Sequence, residues 1–337
     1  TIGDSQVRER LFEILDGYKP DVVVTGALTF PCGFNSFKWA KLRGKGVVMF
    51  DDVLISGTSR NPVKRMVRAH LCRRVQAYFV PASDYAVEWR SWGAGQKNVF
   101  EGLCCVNNQR FGSVSREEME EYFRNSDLDI GRRYMLCVSR LVPIKNVKRL
   151  IEVWSKAYGF REDVGLIIVG DGGQVIVLQE VLLMMGVRNV HIVGALRNTE
   201  VQYYYALASA FILVSHLESW GLVVNEAMAA GLPVIVSKQC NCSRYLVDDG
   251  VNGYLVDADL DETIFEAIKI LESPGRLADF GIASRRMIQD FGLEKFARNL
   301  WAACSYVMSV DQGKLDIFSR GLMVFWRARI NMKRFNG

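Results

Sequence analysis

Short runs of β-branched and aromatic residues alternate with stretches of helical periodicity along nearly the whole chain. That alternation constrains the fold more than any other feature, because it belongs to α/β proteins with parallel sheets. In the first half it predicts strands over residues 21–25, 46–50, 77–80 and 98–101, with helices over 5–15, 36–41, 62–75 and 85–91 between them. A charged helical segment, 115–124, then leads into a polar stretch, 125–133, which marks the expected domain boundary. The alternation restarts beyond it, with strands over 134–138, 165–169, 190–193, 210–214 and 233–237. Helices are expected over 146–154, 174–185, 199–206 and 221–230, and then to about residue 307. A chain of 337 residues suits two such domains, and two consecutive βα domains suggest a Rossmann-like pair facing across a cleft. The expected division is 1–128, 129–310 and a basic amphipathic tail, 311–337.

Half of the residues are hydrophobic and 23% are charged, which fits a folded globular chain. The net charge of +5 is too mild to imply a nucleic-acid partner. Apolar stretches such as residues 165–170 and 210–214 fall far short of the roughly 20 residues a membrane-spanning helix needs. No charged-then-apolar leader opens the sequence. The eight irregularly spaced cysteines read as reduced thiols of a cytoplasmic protein. Cys240 and Cys242 form a lone C-x-C, too few ligands for a metal centre, so neither metal nor cofactor is expected.

The segment that points to chemistry is residues 215–233. A strand ends there and a helix begins near Ser219, whose hydroxyl is a candidate N-cap. The unpaired amides at such a helix start, here Gly221 and Leu222, receive phosphate well, and Gly221 lets a ligand approach the backbone closely. Glu218 and Glu226 lie eight residues apart, roughly 10 Å along a helix. That span suits one carboxylate on a sugar and the other on a ribose, with a diphosphate between. Taken alone, the same residues also read as a helix-start acid and a solvated surface acid.

The order of motifs settles between these. The run E-S-W-G-L-V-V-N-E-A-M-A-A-G-L-P-V-I from Glu218 resembles the E-x7-E segment of retaining glycosyltransferases of family four, which have the GT-B fold of two Rossmann-like domains. Residues 134–145, Y-M-L-C-V-S-R-L-V-P-I-K, resemble that family's strand–Gly-Arg-Leu–x3-Lys segment, with Ser139 in place of glycine. The resemblance implies that Arg140 and Lys145 neutralise a donor diphosphate, that Glu218 holds sugar hydroxyls, and that Glu226 holds the ribose. Residues 169–173, V-G-D-G-G, look like the family's glycine turn at Gly170. Gly194, Ala195 and Leu196 look like the segment whose backbone holds the base, and 252–256, N-G-Y-L-V, like the strand after the donor loop.

The sequence also departs from the family. The K-P-D-V-V strand begins only about twenty residues in, so the resemblance implies a first domain that is short or incomplete. Phe50-Asp51-Asp52 stands where the family has a histidine, and Asp51 is the candidate for an acceptor hydroxyl unless the pair only caps the next segment. Residues 238–244 lack the usual Gly-Gly-x-Pro-Glu.

Two segments are basic and amphipathic. Arg60, Lys64, Arg65, Arg68, Arg73 and Arg74 interleave with Val63, Met66, Val67, Leu71 and Val75. In the tail Phe318, Leu322, Phe325, Trp326 and Ile330 interleave with Arg320, Arg327, Arg329, Lys333 and Arg334. Such patterns lie on anionic membrane surfaces; the alternative is a solvated face over an ordinary core contact for the first segment and inter-domain packing for the tail. The expected activity is transfer of a hexose from a nucleoside-diphosphate sugar to a hydroxyl acceptor, a saccharide or lipid-linked saccharide, in cell-surface polysaccharide or glycolipid synthesis at the inner face of a membrane. The rivals are an epimerase on the same fold and a non-catalytic nucleotide-sugar-binding subunit. The absence of G-x-G-x-x-G with a following acid argues against a nicotinamide enzyme.

Overall fold

The computed structural model of the chain describes residues 4–52, 62–91, 95, 98–312 and 316–325. It contains two parallel sheets, each in its own compact unit.

The first sheet has four strands, β1 (Val22–Thr25), β2 (Gly46–Phe50), β3 (Ala77–Val80) and β4 (Val99–Glu101), side by side in chain order. Parallel strands are covered by helices on both faces and therefore read as unbroken apolar runs; β3 is buried at every residue. The helix expected over 36–41 starts earlier, as Pro31–Leu42, because Pro31 is pre-set for the first helical position. On one face Val48, Ala77 and Phe79 meet Ala303 and Val307 of helix Leu293–Ser309, and Phe296 stands edge-on to Phe79 at 5.3 Å.

The second sheet has six strands: β5 (Arg133–Val138), β6 (Val164–Val169), β7 (Val190–Gly194), β8 (Ala210–Leu213), β9 (Val234–Ser237) and β10 (Gly253–Val256). Their order is β10-β9-β8-β5-β6-β7, all parallel. The chain thus winds outward from β5 in one direction and returns to wind outward from β8 in the other. Helix Val147–Tyr158 buries Val147, Leu150, Ile151, Trp154 and Tyr158, a stripe at three- and four-residue spacing, against this sheet. Full burial of each such aliphatic side chain contributes about 1.5–3 kcal/mol.

The units divide the chain elsewhere than at residue 128. One is built from the chain up to Cys104 together with the segment from Glu294, and the other is Cys105–Leu293. Helix Asn108–Gly112, which has no counterpart in the expected elements, and helix Arg116–Phe123 belong with the second unit because of what their aromatic rings touch. Phe111 stands edge-on to Tyr205 at 5.5 Å, and Tyr122 stacks on Tyr203 at 4.3 Å. The polar stretch 125–133 is a connection inside one unit.

The basic segment and the tail also differ from expectation. Helix Pro62–Cys72 and helix Ile317–Phe325 pack on each other, with His70 Nε2 2.8 Å from Ser319 Oγ and the His70 ring edge-on to Phe318. Arg74 pairs with Asp316, and Lys38 donates to the Met323 carbonyl at 3.3 Å. Arg68 does not lie on a solvated basic face: it is buried. Arg60 and the tail from Trp326 lie outside the described residues. Among the described residues no helix is long and apolar enough to cross a membrane.

Candidate functional site

In an open parallel sheet, a ligand crevice forms at the carboxyl ends of the strands where the winding direction reverses. In the second unit that point lies between β5 and β8, and the two loops leaving these strands carry the expected residues.

After β5 the chain makes a turn of 3-10 helix, Pro143–Lys145, and Asn146 then takes a left-handed conformation. Asn146 is held there by its side-chain amide, which donates to the Ala258 carbonyl at 2.8 Å. The loop after β8 lies against this turn, with His216 N donating to the Ile144 carbonyl at 2.9 Å. Lys145 and Glu218 are thereby brought into a direct ion pair, with side-chain exposures of 7% and 21%. Arg140 is exposed and has no ion-pair partner among the described residues.

The loop reaches its helix differently from expectation. The helix is Leu222–Ala230, and its N-cap is Gly221 in a left-handed conformation (φ 102°), with no side-chain cap. Ser219 is therefore not the capping residue; its carbonyl accepts from Asn241 Nδ2 at 3.2 Å. A side chain at Gly221 would be strained at that φ and crowd Glu218, so glycine is what lets the chain turn here. The helix start at Gly221 and Leu222 has no side-chain cap among the described residues, the arrangement that suits a phosphate. Glu218 lies before the helix, not in it, so the helical-rise spacing to Glu226 does not apply. Trp220 anchors the loop from beneath: it is buried, stacks on Tyr245 at 5.6 Å and donates from Nε1 to Asn225 Oδ1 at 2.9 Å.

Glu226 is half-buried and not a solvated surface acid. Its Oε2 accepts from the Tyr205 hydroxyl at 2.8 Å. Burial pushes its carboxyl above the usual range, against the pull of that hydrogen bond and of Arg110. Tyr205, from helix Val201–Leu207, went unsuspected in the sequence, since nothing local links it to a carboxylate 21 positions on.

The strand-end turns of β5, β6 and β7 are laced together. Ser139 N donates to the Val169 carbonyl at 3.0 Å and Gly170 N to the Gly194 carbonyl at 2.9 Å. A Cβ on Gly170 would sit 1.8 Å from the Ser139 carbonyl oxygen, so this turn admits only glycine. Gly194 (φ 88°) has open space where a side chain would stand, Ala195 is exposed and Leu196 half-buried. Cys240 and Cys242 are both fully buried, and burial pushes the Cys240 thiol up to about 11. Among the described residues no group of three or more His, Cys, Asp or Glu side chains is placed to hold a metal ion.

Asp51 corrects an expectation. It follows β2 in the first unit, but its carboxylate is wholly inaccessible and pairs with Arg68 at 3.3 Å, the guanidinium lying over the Trp89 ring. A carboxylate so enclosed is not open to solvent as an acceptor-hydroxyl site needs, and the segment it was expected to cap lies outside the described residues.

Solved structures share this architecture. The Anabaena protein HepE in complex with UDP superposes with a TM-score of 0.73 at 16% identity, over 88% of this chain and 81% of that one. Among curated relatives, alpha-monoglucosyldiacylglycerol synthase of Acholeplasma laidlawii is 27% identical over 165 residues, 49% of this chain and 41% of that protein. The GDP-mannose-dependent alpha-mannosyltransferase of Corynebacterium glutamicum is 24% identical over 309 residues, 89% of this chain and 70% of that protein. The chain spans about half the length of the first curated relatives it matches. Two parallel-sheet units, the second with its switch point between β5 and β8, have the GT-B fold. Residues 111–287 match the glycosyl transferases group 1 model, and the chain belongs to that family.

Proposed function

We propose that this chain binds a nucleoside-diphosphate sugar at the β5/β8 switch point and transfers the sugar, with retention of anomeric configuration, to a hydroxyl of a saccharide or lipid-linked acceptor. The observation that carries the reading is the Lys145–Glu218 pair beside the helix start at Gly221, with Glu226 of that helix held by Tyr205 of helix Val201–Leu207. When the anomeric C–O bond breaks, its electron pair stays with the departing diphosphate and adds one negative charge to the two already there. Lys145 has three N–H donors, so it serves Glu218 and a phosphate oxygen together. Arg140 and the amides of Gly221 and Leu222 supply the remaining donors, charge stabilisation that acts mainly as the diphosphate leaves. Basic side chains and amides do the work a divalent metal does elsewhere, so the reaction is metal-independent. Glu218 accepts from sugar hydroxyls and Glu226 from the ribose; the backbone at Gly194, Ala195 and Leu196 lies along the base. The protein HepE is solved with UDP and with UDP-glucose, and the relatives named above are by their names a synthase of a glucosyl diacylglycerol and a GDP-mannose-dependent mannosyltransferase; this supports a hexose donor without choosing the base.

An acceptor with a lipid anchor requires a surface that meets a membrane. Helices Pro62–Cys72 and Ile317–Phe325 expose Val63, Met66, Ile317 and Phe318 beside exposed Arg65 and Arg320, a combination that suits an anionic bilayer. The protein would then work at the inner face of a membrane.

Calorimetry against UDP-, GDP- and ADP-sugars tests the donor site. One of them binds, and Glu226→Ala and Arg140→Ala each weaken it about tenfold. Folded protein that binds none of the three overturns the donor site; binding unchanged in both variants overturns the residue roles.

A further inference from the structure

A cavity of about 290 Å³ opens in the first unit, at the end of the sheet opposite the carboxyl ends of its strands. That size is near the lower bound of small-ligand pockets, roughly 300 Å³. Its walls are the last turn of helix Pro31–Leu42, the turns before β3 and β4, and the chain just beyond helix Leu293–Ser309. Three cations line it, Lys41, Arg73 and Arg74, against one acid, Asp311.

Lys41 is the unusual member. Only 5% of it is exposed, and among the described residues no carboxylate pairs with its ammonium. Its partner is the Gln76 side-chain oxygen at 2.6 Å, which also accepts from Val47 N at 3.1 Å. A buried lysine is ordinarily matched by an acid, because a neutral amide compensates little of the lost hydration. Desolvation, helped by Arg74, lowers the Lys41 ammonium to about 7. Arg73 is exposed at the rim, while Arg74 is shared with Asp316.

We infer that this cavity is a binding site for a small oxyanion, a phosphate either free or esterified to a small organic body, with Lys41 as the buried counter-charge and Arg73 closing over it. Gln76 links such a site to the C-terminal segment, since its Nε2 donates to the Gln312 carbonyl at 3.1 Å. Occupancy would therefore fasten the end of helix Leu293–Ser309 to the first sheet.

The charged and titratable groups facing Lys41 across the cavity are Arg73, Arg74, Tyr306 and Asp311. An anion favours the charged ammonium, so binding takes up a proton above about pH 7 and weakens as pH rises. Sulfate is the probe, because it does not itself titrate in this range. Calorimetry in two buffers of different ionisation enthalpy should find proton uptake and about tenfold weaker sulfate binding at pH 8.5 than at 6.5. Lys41→Met should abolish the binding, and Arg73→Ala, at an exposed position that tolerates truncation, should weaken it about fivefold. Both effects should persist in a Lys145→Ala background, which disables the donor site. Comparing inorganic phosphate with glycerol 3-phosphate then assigns the source: tighter binding of the ester marks an organic phosphate, and the reverse the free ion. Absence of sulfate binding, binding indifferent to Arg73→Ala, or binding lost in Lys145→Ala alone overturns the inference.

Discussion

Each unit places a cation and a carboxylate together just beyond the carboxyl ends of its strands, and the two pairs differ in what surrounds them. Asp51 and Arg68 are sealed, at 0% and 6% side-chain exposure, under the Trp89 ring. Lys145 and Glu218 keep one side open, with Glu218 at 21%, at the loop that leads to the glycine-capped helix start. The first pair is shut away from solvent, as a buried pair that holds its elements in one arrangement is. The second has spare donors and an open approach. Charge at a strand end is therefore not enough to mark a site; it must also remain within reach of a ligand.

Substitution should separate the two pairs cleanly. Asp51→Ala removes the carboxylate beside a buried guanidinium and should cost about 3–5 kcal/mol of stability by denaturant unfolding. Activity per folded molecule should stay within about twofold of the parent. Unchanged stability with lost turnover would break the comparison and return Asp51 to the acceptor. Lys145→Met should act in the opposite sense, lowering kcat/KM about 10²–10³-fold while stability falls by only about 1–2 kcal/mol, because Glu218 can rehydrate. Steady-state kinetics beside thermal unfolding reads both.

Tyr205→Phe sharpens the picture within the open site. Loss of one hydrogen bond to a carboxylate should raise the donor KM about five- to tenfold with kcat nearly unchanged. The pH profile carries a sign as well. Glu226 must be ionised to accept from a ribose, so donor affinity should fall as pH drops through its raised value. The Tyr205 bond lowers that value, so Tyr205→Phe should move the acid limb to higher pH. An unmoved limb would mean that a different group titrates. The smallest effect concerns the outer face of helices Pro62–Cys72 and Ile317–Phe325. In sedimentation with vesicles, Met66→Ser with Phe318→Ser should weaken binding to anionic bilayers severalfold and leave neutral bilayers indifferent.

Much of the fold was legible because parallel strands announce themselves. β2 and β3 fall on the expected residues, and the others within one or two. What escaped the sequence is tertiary in origin. Residues 105–128 belong to the second unit because Phe111 and Tyr122 meet tyrosines some eighty to ninety positions later, a match of surfaces with no local pattern. Ser219 has the chemistry of a cap, yet the turn needed a left-handed residue, and Gly221 took the position. The pairing of Lys145 with Glu218 had a sequence signal in the motif order, whereas Arg68 beneath Asp51 and Tyr205 beside Glu226 had none.

Helix Leu293–Ser309 has a consequence for how the protein comes to exist. Ala303 and Val307 complete a core whose other half, Val48, Ala77 and Phe79, leaves the ribosome far earlier. At roughly 5–20 residues per second, about ten seconds or more of translation separate them, and the whole of Cys105–Leu293 emerges in that interval. The later unit can close its own sheet first, while the earlier strands wait with an uncovered apolar face. Birth order and folding order are thus reversed, and the interval in between is when this chain most needs a chaperone.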